Sequence, residues 1–387
     1  LPIQAEKRIY KANGPALTTA TSGDELTVSS SKVNFVFNKK SGLVTSYKVD
    51  GTEYFKDGFG IQPNFWRAPN DNDYGNGAPK RLQVWKQSSK NFHVTDVKMT
   101  TENKVVSLKA TYLLAAGNLY VVTYRIYPSG IVNVSAQFTS TDMQAAETEV
   151  SEATRMATFT PGSDAARKAA SKLEVPRIGV RFRLPAQMNN VQYFGRGPEE
   201  NYIDRNHGTL VGVYKTTADK MYFNYVRPQE NGHHTDTRWI ALSPDKGNGL
   251  AIVADSLIGF NALRNSIEDF DSEEALPHPY QWNNFSPEEV ANHDEKAARN
   301  VLRRMHHVND ITPRDFVEVC VDMKQQGVGG YDSWGARPEP FHQIPANRDY
   351  SWGFTLVPVR SASQANEVAK YLSLIHISEP TRLLSIS

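Results

Sequence analysis

The residues best suited to chemistry lie in a glycine-rich stretch, 327–335, which reads Gly-Val-Gly-Gly-Tyr-Asp-Ser-Trp-Gly. Its glycines allow a tight turn and a close approach to another surface. Asp332, Ser333 and Trp334 place hydrogen-bonding groups beside a flat indole. Such a set suits a sugar, because the ring's C–H face stacks on the indole while polar groups bind the hydroxyls. The alternative is a plain turn with one buried tryptophan, and these residues alone slightly favour it.

A second dense cluster occupies residues 65–77 and reads Phe-Trp-Arg-Ala-Pro-Asn-Asp-Asn-Asp-Tyr-Gly-Asn-Gly. Its arginine and acids predict a fixed network that shapes a loop. The Asp-Asn-Asp spacing is similar to a calcium loop, but the bidentate glutamate of an EF-hand is missing, which argues against calcium. The two glycines predict a hinge for a mobile loop. The candidates here are Arg67, Asp71, Asn72, Asp73, Gly75, Asn76 and Gly77.

Two further clusters, 193–205 and 222–239, combine aromatic and polar residues. The first holds a G-x-G, but Pro198 and the adjacent acids argue against a dinucleotide loop, so we predict a strand end that feeds a polar loop. The pair His233-His234 invites a metal interpretation, which we disfavour because adjacent strand residues point to opposite faces. The candidates here are Arg196, Glu200, Asn201, Asp204, Arg205, Glu230, Asn231 and Arg238.

Catalytic machinery is not evident in the sequence. A glycosidase needs two carboxyl groups that flank the scissile bond. The carboxylate pairs found are adjacent ones, Glu199-Glu200, Glu273-Glu274 and Glu288-Glu289, which are typical of solvated faces or helix N-termini. Neither G-x-S-x-G nor H-E-x-x-H occurs. We therefore predict no catalytic residue and no metal ligand in this chain.

The composition of the 387 residues is that of a globular protein, with 39% hydrophobic and 22% charged residues. Lys and Arg (43) nearly balance Asp and Glu (42), which argues against nucleic acid as a partner. No run reaches the roughly 18 apolar residues of a membrane span, so no membrane partner is expected. The single cysteine, Cys320, is expected to be a small core residue in a strand.

Period-two hydrophobic runs separated by turn residues dominate the chain and predict an all-β fold of antiparallel sheets packed face to face. We expect a linker over 1–22, one domain over 23–371, a surface insertion over 139–174 and a helix beginning at Ser286. Residues 372–387 resemble a translated sequencing adapter and are set aside. The strand runs are 33–37, 43–49, 92–99, 105–113, 120–127, 131–138, 178–184, 239–242, 250–253, 316–321 and 352–357.

In their order along the chain, the motifs 65–75, 194–205 with 227–232, and 327–334 resemble the C-terminal, small-chain domain of the large bacterial β-galactosidases of glycoside hydrolase family 2. The resemblance covers about 23–371 and implies a galactose-mutarotase-like super-sandwich. It implies retaining hydrolysis of terminal β-galactosides by two glutamates on a TIM barrel that would lie upstream. The first residues resemble the exit from an immunoglobulin-like domain.

The resemblance also implies roles for residues. Trp334 would stack on the aglycone sugar beside Asp332 and Ser333, and the segment from Gly75 would close during the reaction. The family's magnesium and sodium ligands belong to other domains, so no cofactor is expected in this chain. Tyr331 stands where some members carry a second aspartate, which leaves the loop's behaviour less defined.

The implied partners are a β-galactoside substrate, the barrel in cis or in trans, and further copies in a homo-oligomer. Any targeting signal would precede residue 1, which leaves cytoplasm and periplasm both open. Two alternatives to a domain fragment remain. One is a free-standing small subunit of a two-chain enzyme. The other is a sugar-binding or mutarotase-like protein that uses His233 or His234 with Glu230.

Overall fold

Short alternating segments build a five-stranded antiparallel sheet at the start of the described chain. The computed structural model describes residues 13–140, 174–271, 307–332 and 335–372. The strands lie side by side in chain order. They are β1 (Thr18–Ser22), β2 (Glu25–Ser29), β3 (Val33–Asn38), β4 (Leu43–Val49) and β5 (Thr52–Glu53).

A second antiparallel sheet has twelve strands, and it forks at its longest strand. The strands are β6 (Gln62–Asn64), β7 (His93–Glu102), β8 (Val105–Leu113), β9 (Leu119–Ile126), β10 (Val132–Thr139), β11 (Arg177–Pro185), β12 (Asn190–Gly197), β13 (Leu210–Thr217), β14 (His234–Ser243), β15 (Gly249–Leu263), β16 (Phe316–Gln325) and β17 (Tyr350–Val359). Their order is β13-β12-β14-β15-β17-β10-β9-β8-β7, and β16, β11 and β6 extend from β15. The first half of β15 pairs with β17 and its second half with β16, so β15 serves both branches.

Helices are short in the described part of the chain. They are α1 (Asp71–Gly75), α2 (Ala78–Arg81), α3 (Gln83–Ser88), α4 (Ala218–Met221), α5 (Ile267–Phe270) and α6 (Ser363–Leu372), with 3-10 turns at Lys56–Gly58, Val308–Asp310 and Pro340–His342. None of the helices described is long and apolar enough to cross a bilayer.

One hydrophobic core joins the two sheets. Phe35 of β3 packs on Tyr124 of β9 with ring centroids 5.6 Å apart, and both side chains are fully buried. The Tyr47 hydroxyl donates to the carbonyl of Gly130 at 2.7 Å, which satisfies a polar group inside this layer. The same core receives Phe65, whose ring lies edge-on to Tyr120 at 5.1 Å. Phe65 thereby anchors the polar segment that follows it.

The all-β, antiparallel prediction is confirmed, and every predicted run overlaps an observed strand. Cys320 is buried, as expected. The linker assignment is wrong at its end, because Thr18–Ser22 pairs along its whole length with β2. The helix expected from Ser286 and residues 141–173 of the expected insertion lie outside the described residues.

Candidate functional site

The three sequence motifs, far apart along the chain, meet at one open pocket of about 1010 Å³. Its walls come from residues within 70–75, 200–205, 225–230 and 328–332. Strand ends and short helices carry these segments to the same place. The sheets therefore bring together residues that the sequence presents as separate clusters.

The first motif is fixed by its own charges. Arg67 Nη2 contacts both oxygens of Asp73 at 3.0 and 3.1 Å, and Arg67 Nη1 donates to the carbonyl of Gln326 at 2.8 Å. Asn70 and Asp73 cap each other at the start of α1. The expected network thus exists, but Asp71 takes no part in it and pairs with Arg227 at 3.1 Å instead.

The segment expected to act as a hinge is folded into consecutive short helices. Gly75 ends α1, and Gly77 has a φ of 72°, a left-handed conformation that favours glycine and opens the way to α2. Asn76 Oδ1 accepts a hydrogen bond from Arg81 Nη2 at 3.2 Å, and Arg81 also pairs with Glu174. Closure of this segment stays a prediction.

The glycine-rich stretch is held from two sides. Asp204 Oδ1 and Oδ2 accept from the backbone N–H groups of Val328 and Gly329 at 3.0 and 2.9 Å. Arg205 Nη2 donates to the Gly329 carbonyl at 2.7 Å. From the opposite side, the Asn72 amide is placed to bond Gly330 N at 3.2 Å and Asp332 O at 3.1 Å. The second motif and α1 therefore clamp this stretch between them.

Glycine is required where this stretch meets its neighbours. A β-carbon on Gly330 would lie 2.3 Å from Arg205 Nη2, and one on Gly335 would lie 2.5 Å from the Gly75 carbonyl carbon. Both glycines also have positive φ, 105° and 112°. Asp332 lines the pocket, whereas Ser333 and Trp334 lie outside the described residues.

We expect Asp204→Ala to loosen the glycine-rich stretch, because the substitution leaves two backbone N–H groups without their acceptor. The cost is about 1–3 kcal/mol of local stability. Amide hydrogen exchange at Val328 and Gly329 should accelerate about fivefold or more. Asp245→Ala is the control, since Asp245 is exposed and accepts from Asn190, the first residue of β12. Equal exchange in both variants would contradict the clamp.

Glu200 differs from the expectation for an adjacent acidic pair. Glu199 is exposed, but the Glu200 carboxylate accepts from Gly232 N at 2.6 Å, from Tyr202 at 3.4 Å and from the Tyr225 hydroxyl. Burial raises the pKa of Glu200, against the effect of these hydrogen bonds. The interpretation of this residue as part of a solvated face is wrong, because the segment between α4 and β14 brings Tyr225 and Gly232 against its carboxylate.

Behind the pocket lies a buried ionic network that the sequence did not reveal. The Arg177 side chain is fully buried, and its Nη2 lies 2.7 Å from Glu230 Oε1 and 3.0 Å from Asn261 Oδ1. Its Nε lies 3.2 Å from Asp322 Oδ2. Burial raises the pKa of Asp322 to about 7, opposed by the charge of Arg177. Glu230, one wall of the pocket, is thus fixed from behind.

The remaining candidates support loops and do not line the pocket. His233 Nδ1 lies 2.9 Å from Asn261 Oδ1, His234 Nδ1 lies 3.0 Å from the Arg196 carbonyl, and burial lowers the pKa of His234 to about 4. In the described part of the chain, no group of three or more His, Cys, Asp and Glu residues could hold a metal ion. The other candidates also support loops. Arg196 pairs with Asp236, and Asn201 bonds Thr235. Asn231 accepts from Phe223 N, and Arg238 lies over the ring of Phe194.

Several residues of the sequence motifs line the pocket, although the sequence did not single them out as candidate site residues. They are Asn70, Tyr74, Tyr202, Tyr225, Arg227 and Gln229. The tyrosines give flat apolar faces and the others give donors and acceptors, a mixture typical of sites that orient a polar ligand. The sequence signal that could have identified them is their position beside charged residues in the motifs.

The antiparallel sheets and this polar, tyrosine-lined pocket define an all-β domain whose site suits a hydroxylated ligand. Residues 29–356 match the family model of the β-galactosidase small chain, and the chain belongs to this family. The resemblance drawn from the three motifs is thereby confirmed.

Its relatives are β-galactosidases of greater length. The chain is 32% identical over 362 residues to the β-galactosidase of Priestia megaterium (strain DSM 319 / IMG 1521), covering 93% of this chain and 29% of that protein. With the β-galactosidase of Streptococcus thermophilus it shares 26% identity over 84% of this chain and 26% of that protein. The chain therefore spans less than a third of these relatives.

Solved structures of mutarotase type are similar at low identity. A galactose 1-epimerase from Lactobacillus acidophilus NCFM matches with a TM-score of 0.41 and 8% identity, covering 88% of this chain and 97% of that chain. A galactose mutarotase-like protein from Lactobacillus casei ATCC 334 matches with a TM-score of 0.38 and 12% identity, over 86% and 99%.

Proposed function

We propose that this chain is the C-terminal domain of a retaining β-galactosidase. It contributes a wall of the substrate site and a loop that closes on it, while the catalytic glutamates belong to a barrel outside this chain. The observation that carries the proposal is the meeting of all three motifs at one polar pocket. Its relatives by sequence, of which it spans less than a third, are named β-galactosidases.

The charges of the pocket favour a neutral, hydroxylated ligand. Four acids line it, Asp71, Glu200, Glu230 and Asp332, against two arginines. Both arginines are engaged, Arg205 with the Gly329 carbonyl and Arg227 with Asp71. A phosphate or carboxylate ligand would meet repulsion here, whereas sugar hydroxyls would find acceptors.

The carboxylates of the pocket are suited to binding and not to bond cleavage. A retaining glycosidase needs two carboxyl groups roughly 5–5.5 Å apart, one of them free to attack the sugar. Glu200 accepts from Gly232 N and from tyrosine hydroxyls, and Glu230 is paired with Arg177. These contacts fix both carboxylates, and Glu230 keeps only Oε2 unpartnered among the described residues. Fixed acceptors of this kind suit the binding of hydroxyls, and we assign the chemistry to the barrel.

The alternatives differ in how far the geometry favours them. A free-standing small subunit would use the same pocket, with the barrel supplied in trans. A mutarotase-like activity would need His233 or His234 beside Glu230 at the sugar. Both imidazoles are buried, and each has its Nδ1 engaged inside the domain. The geometry therefore favours a β-galactosidase role, with the barrel in cis or in trans, over a mutarotase-like activity.

The test is complementation. The 387-residue chain alone is expected to give no turnover of a chromogenic β-galactoside, because the barrel glutamates are missing. Mixing it with the barrel-containing part encoded by the same gene should restore turnover, and the heat-unfolded chain should not. Hydrolysis by the isolated chain, or full activity of the barrel part without it, would refute the proposed role.

A further inference from the structure

The two oxygens of the Glu230 carboxylate have different surroundings. Oε1 accepts from Arg177 Nη2 at 2.7 Å and from Asn261 Nδ2 at 3.0 Å. Oε2 has no hydrogen-bond partner among the described residues. It is also not among the side-chain atoms of those residues that are both unpartnered and completely buried. The residue is only 5% exposed, yet it lines the pocket. One oxygen is thus committed to the domain, and the other is left for a ligand.

The position of this carboxylate is fixed before any ligand arrives. The Glu230 backbone N–H donates to the Ala68 carbonyl at 3.2 Å, and Asn261 Nδ2 also donates to the Asn231 carbonyl at 2.7 Å. Arg177 is held in turn by Gln325 Oε1 at 2.5 Å and by Asp322. A group held in this way loses little freedom when it binds, which increases its contribution to affinity.

We propose that Glu230 Oε2 accepts a hydroxyl hydrogen from a neutral saccharide bound in the pocket. The inference rests on the proposed function only for its ligand class, the β-galactosides. A carboxylate acceptor fixed at the rear of the site would select a sugar with a hydroxyl at one ring position and reject the analogue that lacks it.

Other ligand classes fit this position less well. A cation would need several oxygen ligands, and no acidic cluster of that kind exists among the described residues. An anion would face Glu230 and Glu200 together. Three tyrosines, Tyr74, Tyr202 and Tyr225, also line the pocket and add aromatic surface that suits a pyranose. One face of the Tyr74 ring is covered by the Arg227 guanidinium, and one face of the Tyr202 ring is covered by His233.

The experiment compares Glu230→Gln with Glu199→Gln by ligand-observed NMR titration of methyl β-lactoside, a galactoside whose second sugar can reach the wall that this domain supplies. The glutamine is isosteric, and its carbonyl can still accept from Arg177, but its other atom is a donor in place of the acceptor. We expect the dissociation constant of Glu230→Gln to rise about tenfold or more. Glu199 is exposed and does not line the pocket, so Glu199→Gln should bind like the unsubstituted chain.

Monodeoxy derivatives of the same galactoside identify the hydroxyl. One of them should bind the unsubstituted chain about tenfold more weakly and lose nothing further with Glu230→Gln. If Glu230→Gln does not fold, as judged by thermal unfolding, the deoxy series on the unsubstituted chain decides. Equal affinities across that series, unchanged binding by a folded Glu230→Gln, or no binding by the unsubstituted chain would each overturn the inference.

The outcomes separate this inference from the proposed function. Restored turnover on complementation with unchanged binding by Glu230→Gln would overturn the inference and leave the β-galactosidase role intact. Glu230-dependent binding without restored turnover would support the inference and refute the β-galactosidase role.

Discussion

Replacing Arg177 by methionine is expected to destabilise the domain by about 3–5 kcal/mol. The guanidinium is fully buried, 2.7 Å from Glu230 and 3.2 Å from Asp322. Methionine has a similar length, so the substitution removes the charge more than it removes volume. Two buried carboxylates then lose their counter-charge, and the cost of such an unpaired buried charge exceeds that of a lost surface ion pair.

Equilibrium unfolding in urea measures this loss. Arg125→Met on β9 is the matched control, because Arg125 is exposed and its hydrogen bonds to described residues go to the neutral side chains of Asn133 and Ser135. It should stay within about 0.5 kcal/mol of the unsubstituted chain. Similar small effects in both variants would mean that the network behind the pocket contributes little to stability.

The pH dependence of the Arg177→Met effect gives a second readout. The folded-state pKa of Asp322 is raised to about 7 by burial, from an unfolded value near 3.8. Between these values the folded state holds a proton that the unfolded state has lost, so the contribution of Asp322 to stability decreases as pH rises. Without Arg177 that pKa rises further, and the decrease continues above neutrality. The difference between the variant and the unsubstituted chain should therefore be larger at about pH 8 than at about pH 5.

His233 also makes the destabilisation by Arg177→Met larger at high pH than at low pH. Its Nδ1 lies 3.8 Å from Asp322 Oδ2, and its pKa is held well below the usual range by burial and by the charge of Arg177. Removing Arg177 makes protonation of this imidazole easier, which again favours the variant at low pH relative to high pH.

The strands were predictable where one face is buried and the other is solvated. In β8, alternate residues Val106, Leu108, Ala110 and Tyr112 are all buried, so the hydrophobic period is visible in the sequence. In β1, Thr18–Ser22 is exposed throughout, and only its pairing with β2 defines it as a strand. β13 exposes Leu210 and Val213, so hydrophobicity does not mark its inner face. These two strands are defined by their pairing with neighbouring strands, and the local hydrophobic pattern gives no sign of that pairing.

The site was predictable as motifs but not as contacts. Sequence placed Arg67 just before four polar residues, 70–73, yet it could not show that Asp73 is its partner while Asp71 pairs with Arg227, 156 residues away. A signal for the buried network did exist. Arg177 and Arg181 lie four residues apart on β11, and Glu318 and Asp322 lie four apart on the adjacent β16. Without the strand register these charges resemble ordinary solvated faces.

Trp334→Ala, tested in the full-length β-galactosidase, is expected to weaken binding of the aglycone sugar by about tenfold to a hundredfold. The expectation comes from the family resemblance together with the neighbours of Trp334 along the chain. Asp332 lines the pocket, and Gly335 packs against the backbone of Gly75, which lines it too. By the family resemblance, the indole would cover the apolar face of the aglycone sugar, and alanine would return that face to water.

The readout must separate the two sugar positions. The KM for a disaccharide galactoside should rise, whereas inhibition by free galactose should change by less than about twofold, because galactose does not need the aglycone wall. Phe341→Ala is the control, since Phe341 is an aromatic side chain that is 72% exposed and does not line the pocket. An equal loss for galactose and disaccharide would place Trp334 at the galactosyl position instead. Unchanged binding of both would show that this glycine-rich stretch is an ordinary turn.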